Sequence, residues 1–277
     1  MKKYKYLTVF TLSLLFVACK DDKKLEKIEF SNLKQTYALN EDVTLQLKSD
    51  AGREIDSVQY FINDKKIGSV KANTVLTYNL SNAKHGTQNI KAIAYTKGKP
   101  NQTTTTIDVF SHVQPAFYTY TIVNTYPHDI KAYTQGLEFY GDVLIESTGN
   151  GEGRGTGTKG KSSIRKVNAK TGEVVKINEL DDAIFAEGST ILNNKIYQLT
   201  YLNNEAYVYN LESLQKEKTF PYFQKMQGWG LTNDGINLYM TDGSDRVYKV
   251  NPTDFSLIDY FVVSTNRGTI GNVNELE

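Results

Sequence analysis

The stretch AYVYNLES at residues 206–213 lies at the centre of a repeat that decides the fold. The same arrangement recurs as IRKVNAKT at 164–171 and as VYKVNPTD at 247–254: a short strand-like run that ends in an apolar residue and Asn, followed by a turn. The three Asn positions are 168, 210 and 251, so the repeats are spaced by 42 and 41 residues. A period near 42 with alternating rather than helical apolar spacing predicts four short strands per repeat, which is typical of a β-propeller blade.

A second set of repeats marks a candidate site. Glycines at 136, 188 and 230 each precede an apolar strand, and the residues directly before them are Gln135, Glu187 and Trp229. The first interval is ten residues longer than the second, which matches a Gly-rich insertion at 149–160. Equivalent positions in successive blades are related by rotation about the propeller axis. We therefore expect these three side chains to converge at one end of a central channel.

The sequence before this repeat region has a different character. From residue 28 to residue 112, short runs alternate apolar and polar residues, which predicts strands, as in Val58, Tyr60 and Ile62 and again in Leu76, Tyr78 and Leu80. About seven strands with turn residues between them predict an immunoglobulin-like β-sandwich, and Asn63-Asp64 is expected to lie in a hairpin turn. No catalytic grouping is visible in residues 28–112. A spacer role is favoured for this domain over a binding platform, and the propeller is expected to begin at residue 117.

The N-terminus has the layout of a secretory signal. Three lysines among residues 1–5 precede an apolar run at 7–18, which Cys19 follows. FVAC at 16–19 resembles the lipobox of bacterial lipoproteins, so residues 1–19 are expected to be a signal peptide with Cys19 as the lipidated residue, and 20–27 a tether. The protein would then be exported and anchored at the membrane, facing the periplasm or the cell surface. A soluble exported protein is the alternative.

Several other functions are disfavoured. With 32 basic and 31 acidic residues the net charge is +1, which gives no electrostatic footprint for nucleic acid. Cys19 is the sole cysteine, and three scattered histidines do not have zinc-ligand spacing. The run GTGTKGKS at 155–162 fits the phosphate-binding loop pattern, but that pattern requires a following helix, whereas residues 163–167 alternate like a strand.

Seven short motifs in the repeat region together resemble the plant and bacterial glutaminyl cyclotransferases. They occur in the family's order and spacing: YPHD at 126–129, YTQGL at 133–137, ESTG at 146–149, AEGS at 186–189, QLTY at 198–201, GWGL at 228–231 and NELE at 274–277. The resemblance runs from about residue 118 to the last residue. It implies a five-bladed propeller, no obligatory catalytic metal or other cofactor, and conversion of the N-terminal glutamine of peptides or proteins to pyroglutamate with release of ammonia.

The resemblance also implies roles for particular residues. Tyr133, Gln135, Tyr201 and Trp229 would bind the substrate, with tyrosines standing where the family commonly has Phe and Trp. Glu187 is the one acid in the repeated set, so it is expected to be the catalytic proton shuttle. A structural carboxylate that accepts backbone N–H groups is the alternative for Glu187, and core packing is the alternative for Trp229. Glu275 occupies the corresponding place in a fourth repeat.

The sequence ends where a fourth blade would begin, so about three of five blades are expected, in an all-β chain that is interpreted as a fragment or as the product of a truncated gene prediction. A partner chain that completes the ring is a less favoured alternative. A further Trp and Lys of the family's site would lie in the later blades. The chain is expected to be a monomer. The alternative function is a non-catalytic propeller that binds a partner at the cell envelope. A propeller lactonase is disfavoured, because Gln, Glu and Trp form a poor metal cage.

Overall fold

The computed structural model describes residues 27–50, 54–152 and 157–277. The predicted signal peptide, Cys19 and nearly all of the predicted tether lie outside these residues. Within the described part the chain is built almost entirely from β-strands, as the sequence predicts, with one short 3₁₀ turn at Leu80–Asn82. None of the helices in this part is long and apolar enough to cross a membrane.

The N-terminal unit contains nine strands: β1 (Ile28–Phe30), β2 (Thr36–Ala38), β3 (Asp42–Leu45), β4 (Leu47–Ser49), β5 (Ser57–Ile62), β6 (Lys65–Lys71), β7 (Leu76–Asn79), β8 (Gly86–Thr96) and β9 (Lys99–Phe110). One sheet has the order β2-β9-β8-β5-β6, in which β2 and β9 are parallel, and two further pairs are β1-β4 and β3-β7. Side chains from all three groups of strands share a single core. Several strands, such as β5 and β8, bury alternate residues in it.

Two local predictions for this unit can be compared with the structure. Asn63 and Asp64 have φ angles of 47° and 64°, so they form the two-residue turn that joins β5 to β6. Val58, Tyr60 and Ile62 all point into the core, as their alternation predicts. Leu80 differs, because it lies in the 3₁₀ turn after β7 rather than in that strand, although its side chain is fully buried.

The repeat region forms three consecutive four-stranded antiparallel sheets. The first contains β10 (Tyr133–Tyr140), β11 (Val143–Gly149), β12 (Ser163–Asn168) and β13 (Val174–Glu179); the second contains β14 (Ala186–Leu192), β15 (Lys195–Thr200), β16 (Glu205–Asn210) and β17 (Lys216–Pro221); the third contains β18 (Leu231–Asn233), β19 (Leu238–Thr241), β20 (Arg246–Val250) and β21 (Leu257–Val262). Strand order follows chain order in each. The 42-residue period therefore corresponds to one sheet.

Successive sheets are packed against each other through apolar layers and through their first strands. One core cluster combines Ile145 and Ile164 of the first sheet with Ile196 and Tyr209 of the second. A second cluster joins the second sheet to the third. The first strands β10, β14 and β18 are neighbours. Gly188 makes this closeness possible, since a Cβ there would lie 2.6 Å from the backbone nitrogen of Leu231.

The Gly-rich insertion lies in the first sheet, between β11 and β12, where the other two sheets have short turns. The residues after Ser162 form strand β12 and not a helix. The phosphate-binding pattern at 155–162 therefore lacks the helix N-terminus that would bind a phosphate group.

Candidate active site

Two of the predicted site residues lie where the strand pairing is interrupted. In β10 the pairing with β11 shifts between Thr134 and Gly136, so Gln135 is an extra, unpaired residue. In β14 the pairing with β15 is interrupted between Ala186 and Ser189, a gap that contains Glu187. Such β-bulges re-aim a side chain out of the normal alternation. The first two of the repeated glycines, Gly136 and Gly188, therefore lie at bulges that re-aim the preceding side chain.

Backbone groups freed by these irregularities bond to the next sheet. The Ser147 hydroxyl of the first sheet donates to the carbonyl of Glu187, and the Gly188 N–H donates to the carbonyl of Trp229 at 2.7 Å. In the third sheet, the Thr241 hydroxyl accepts the Gly230 N–H at 2.8 Å and donates to the carbonyl of Asn274 at 2.9 Å. These hydrogen bonds satisfy buried polar groups. The first two link neighbouring sheets, and the Thr241 bonds tie the third sheet to the segment after β21.

All five predicted site residues line one cavity of about 250 Å³. Its wall is formed by Tyr133, Gln135, Phe185, Glu187, Tyr201, Trp229 and Asn274. These residues come from the first two sheets and the loops beside them, from the loop before β18 and from the segment after β21, so only the packing of the sheets brings them together. The cavity is smaller than the roughly 300–1,000 Å³ of a pocket for a drug-sized ligand. It suits one amino-acid residue better than a large cofactor.

Aromatic rings form most of this cavity's wall. Phe185 lies between two tyrosines, with ring centroids 5.9 Å from Tyr133 and 6.0 Å from Tyr201, both in edge-on geometry. The indole N–H of Trp229 donates to Gln227 Oε1 at 3.0 Å, which orients the tryptophan ring. Aromatic pairs of this kind are each worth about 0.5–1.5 kcal/mol beyond their buried area. The wall is therefore both apolar and well fixed.

Glu187 is the one carboxylate in the cavity wall, and its side chain is nearly buried at 7% exposure. Burial raises the pKa of Glu187 to about 8, and desolvation is the only cause of this shift. Among the described residues no donor forms a hydrogen bond to its carboxylate oxygens. A structural carboxylate that satisfies backbone N–H groups would have such donors and a lowered pKa. The surroundings of Glu187 are therefore not those of a carboxylate that satisfies backbone N–H groups.

Glu275 also approaches Gly188. The residue as a whole is exposed, but its Oε2 atom points inward and would be 2.8 Å from a Cβ at Gly188. Burial of this carboxyl end raises the pKa of Glu275, and the charges of Glu187 and Glu277 add to the effect. The fourth repeat thus does bring a second carboxyl group close to Glu187, although Glu275 does not line the cavity.

A buried polar cluster supports the start of β10 beside the cavity. Glu146 is 1% exposed and accepts a hydrogen bond from the Thr134 hydroxyl at 2.6 Å. The His128 ring nitrogen Nε2 is 2.7 Å from the same carboxylate oxygen. Arg165 lies on its far side at 3.9 Å and bonds to Asp129 at 3.0 Å. Because Thr134 separates Tyr133 from Gln135, this cluster helps to fix both cavity residues.

Two cavity residues, Phe185 and Asn274, are absent from the sequence prediction. A signal for Phe185 does exist in the repeat, since it precedes Glu187 by two positions, as Tyr133 precedes Gln135. The third member of that set is Gln227, which bonds to Trp229. Asn274 belongs to the NELE motif, but its place in the wall depends on how the chain returns after β21. For metal binding, the described residues contain no cluster of His, Cys, Asp and Glu that could hold an ion.

Comparison with known proteins identifies the family of this chain. The model of the glutamine cyclotransferase family matches residues 89–277, which is more than half of the chain. The chain belongs to the glutamine cyclotransferase family. The matched range covers all three four-stranded sheets and also takes in part of β8 and the whole of β9 in the N-terminal unit.

Individual members of the glutamine cyclotransferase family extend the comparison. The chain is 38% identical over 157 residues to the glutaminyl-peptide cyclotransferase of Arabidopsis thaliana, a match that covers 56% of this chain and 46% of the plant protein. The crystal structure of Myxococcus xanthus glutaminyl cyclase matches with a TM-score of 0.50 and 28% identity, over 56% of this chain and 62% of that one. The chain therefore spans about half the length of the plant relative that it matches.

Proposed function

We propose that this chain carries the substrate cavity and the proton shuttle of a glutaminyl-peptide cyclotransferase, which converts N-terminal glutamine to pyroglutamate. The convergence of Glu187 with four aromatic rings and two amide side chains in one small cavity carries this proposal. Family membership supports it, because the relatives are glutaminyl cyclases by name. A cavity lined by rings and amides matches a glutaminyl side chain, which has an apolar stem and an amide end.

In the proposed reaction the α-amine nitrogen of the glutamine attacks the carbonyl carbon of its own side-chain amide. A new C–N bond closes the five-membered ring, the old C–N bond breaks, and the amide nitrogen leaves as ammonia. The attack is intramolecular, so the cavity has only to hold the reactive conformation. The attacking nitrogen must lose a proton and the leaving nitrogen must gain one. One positioned group can therefore serve both steps.

Glu187 is that group in the proposal. Its ionised form accepts the proton from the attacking nitrogen, and its protonated form then donates the proton to the leaving nitrogen. A carboxyl group with a pKa of about 8 is suited to both roles, because the two forms have similar free energies at neutral to mildly alkaline pH. Tyr133, Phe185, Tyr201 and Trp229 would hold the stem of the glutamine and exclude water, which protects the ring closure from competing hydrolysis.

The two amides would orient the reacting carboxamide. Gln135 projects from its bulge on one side of the cavity and Asn274 lies in the wall contributed by the chain after β21. Each amide offers both an N–H donor and a carbonyl acceptor. A donor directed at the substrate's carbonyl oxygen would also stabilise the negative charge that develops there during attack.

The proposal includes the wider setting of the enzyme. The three sheets would be blades of a five-bladed propeller, and the N-terminal unit would be an immunoglobulin-like spacer. Cys19 would carry the lipid, so that the catalytic unit is held at the membrane on the periplasmic side or at the cell surface, with peptides or proteins as substrates. Labelling with a radioactive fatty acid in cells tests the anchor. We expect the wild-type chain, but not Cys19→Ser, to incorporate the label.

The catalytic proposal is tested with a short peptide that begins with glutamine. Ammonia release and conversion of the peptide are followed for the wild-type chain, for Glu187→Gln, and for Glu173→Gln, a control at an exposed position. We expect Glu187→Gln to reduce the rate by roughly 100-fold or more, which is the usual contribution of general acid–base catalysis. Glu173→Gln should match the wild type.

Binding is measured in parallel through fluorescence, because Trp229 is the only tryptophan of the chain and lies in the cavity wall. We expect the glutaminyl peptide to change the fluorescence of the wild type and of Glu187→Gln alike. Unchanged turnover in Glu187→Gln would remove this residue from the mechanism. A wild-type chain that neither binds the peptide nor releases ammonia would contradict the proposal.

A further inference from the structure

A second, larger cavity of about 680 Å³ opens next to the candidate active site, and the mechanism does not use it. It lies between the start of β10, the Gly-rich insertion and the outer strand β13. Four basic side chains line it: Lys131, Lys159, Lys161 and Arg165. The acidic side chains in its wall are Asp129, Glu179 and Asp182. We call this cavity the basic cleft.

The charges of the basic cleft are only partly neutralised. Arg165 is paired with Asp129 at 3.0 Å, and Lys161 with Glu179 at 3.0 Å. Asp182 is close enough to Lys161 to raise the pKa of that lysine. The other two basic residues of the cleft are lysines without an ion-pair partner among the described residues.

Lys131 and Lys159 are those two residues. Both are exposed, and no carboxylate of the described residues lies within 4.0 Å of either ammonium group. The cleft therefore offers two cationic groups to a ligand from solution.

The basic cleft and the active-site cavity share one wall, the segment 149–151. On its inner side, a Cβ at Gly149 would be 2.4 Å from the Phe185 ring, and one at Gly151 would be 2.9 Å from the Tyr133 ring. On its outer side, Asn150 lines the basic cleft and donates to the carbonyl of Asp182 at 2.8 Å. The absence of side chains at both glycines keeps this wall thin.

The distance between the two cavities fits an extended peptide. Lys131 of the basic cleft and Tyr133 of the active-site cavity are two residues apart, so their Cα atoms are separated by at most about 7 Å. A bound peptide advances by roughly 3.3–3.6 Å per residue. If glutamine occupies the cavity and the peptide runs toward Lys131, the second and third residues after the glutamine would reach the basic cleft.

We propose that the basic cleft binds acidic side chains that follow the N-terminal glutamine of the substrate, and so selects acidic peptides. This inference rests on the proposed cyclotransferase function. The two unpaired lysines would attract the carboxylates as point charges. Exposed pairs of this kind are modest in strength and are weakened by salt. We therefore expect a preference of about three- to tenfold rather than an absolute requirement.

The test compares four amidated peptides by Trp229 fluorescence immediately after mixing. Gln-Ala-Glu-Glu, Gln-Ala-Lys-Lys and Gln-Ala-Ala-Ala carry acidic, basic and uncharged side chains at their last two positions, and Ala-Ala-Glu-Glu lacks the glutamine. The wild type should bind Gln-Ala-Glu-Glu about three- to tenfold more tightly than Gln-Ala-Lys-Lys. This preference should shrink in 0.5 M salt, because the Debye length then falls to roughly 4 Å.

The preference should be lost in the double variant Lys131→Gln/Lys159→Gln and should reverse in Lys131→Glu/Lys159→Glu. The control variant Lys66→Gln/Lys170→Gln makes the same charge change at exposed lysines outside both cavities and should behave as the wild type.

Each alternative outcome has a distinct meaning. Equal binding of the three glutaminyl peptides, or a preference that survives both lysine double variants, would overturn the inference and leave the proposed function intact. Equally tight binding of Ala-Ala-Glu-Glu and Gln-Ala-Glu-Glu would support the basic cleft as an acid-binding site but contradict the proposed glutaminyl cavity. Failure of every peptide to bind would overturn both.

Discussion

Replacing Glu187 by glutamine should make the protein more stable, and the gain should depend on pH. The reasoning follows from the raised pKa of Glu187, about 8 in the folded chain against a reference value of 4.5. Between these two values the carboxyl group is protonated in the folded state and ionised in the unfolded state. The folded state therefore binds more protons, so the stability of the wild type falls as pH rises through this window.

The size of the effect follows from the shift in pKa. A difference of about 3.5 between the two pKa values, at about 1.36 kcal/mol each, sets an upper bound of about 5 kcal/mol. Glutamine keeps the shape of the side chain and carries no charge. The free energy of unfolding of Glu187→Gln, relative to the wild type, should therefore increase steadily from pH 4.5 to pH 8 and level off above it.

Urea unfolding at a series of pH values measures this difference. Glu173→Gln is the control, and its difference from the wild type should not depend on pH in the same way. Glu275 is present in both the wild type and Glu187→Gln, so its own contribution to the pH dependence cancels in the difference between them. Only its repulsion with Glu187 does not cancel. A difference between Glu187→Gln and the wild type that stays constant within about 1 kcal/mol from pH 5 to pH 9 would refute the buried, high-pKa carboxyl group.

Three further predictions follow from the site and its support. The proposed mechanism requires an ionised Glu187 and a neutral substrate amine, whose pKa is about 7.7–8.0. Below pH 7, log kcat/KM of the wild type should therefore rise with pH at a slope near two, and that of Glu187→Gln at a slope of one. A slope of one in the wild type would contradict the proton-shuttle role. Gly188→Ala places a Cβ 2.6 Å from the backbone nitrogen of Leu231 in the third sheet and should lower the free energy of unfolding by about 1–3 kcal/mol. The control Gly268→Ala has open space around its Cβ and should leave the free energy of unfolding unchanged. Equal stability of the two variants in urea would argue against the close approach of the sheets. Tyr209→Phe removes the hydroxyl that donates to the buried Gln198 amide oxygen at 2.8 Å. The free energy of unfolding should fall by about 1–3 kcal/mol, measured by thermal or urea unfolding. An unchanged midpoint would show that another group satisfies this oxygen.

The spacing of the sequence repeats predicted most of the strand arrangement. The period near 42 corresponds to one four-stranded sheet, and the alternation before residue 112 corresponds to a separate unit with its own core. Strand alternation is a local signal, because successive side chains of a strand point to opposite faces of the sheet and only one face is buried. The same alternation failed at Leu80, where the side chain is buried from a 3₁₀ turn rather than from a strand.

The site was predicted in part. Positions before the repeated glycines led to Gln135, Glu187 and Trp229, and the family resemblance added Tyr133 and Tyr201. Phe185 and Asn274 lie in the same wall, but neither was predicted to be a site residue, although Asn274 belongs to the NELE motif. The glycine repeat identifies only the residue next to each glycine. The cavity wall also contains residues from other segments, which come together only when the three sheets pack.

The sequence by itself determined the all-β character, the three repeats, the separate N-terminal unit and the residues next to each repeated glycine, because these depend on spacing along the chain. Only the tertiary structure decided that Glu187 is desolvated, that bulges aim Gln135 and Glu187 into one cavity, and that a basic cleft lies behind the segment 149–151. Desolvation and electrostatic fields are sums over neighbours from distant parts of the chain. Those neighbours are set by how one sheet packs on the next, which no local pattern of residues records.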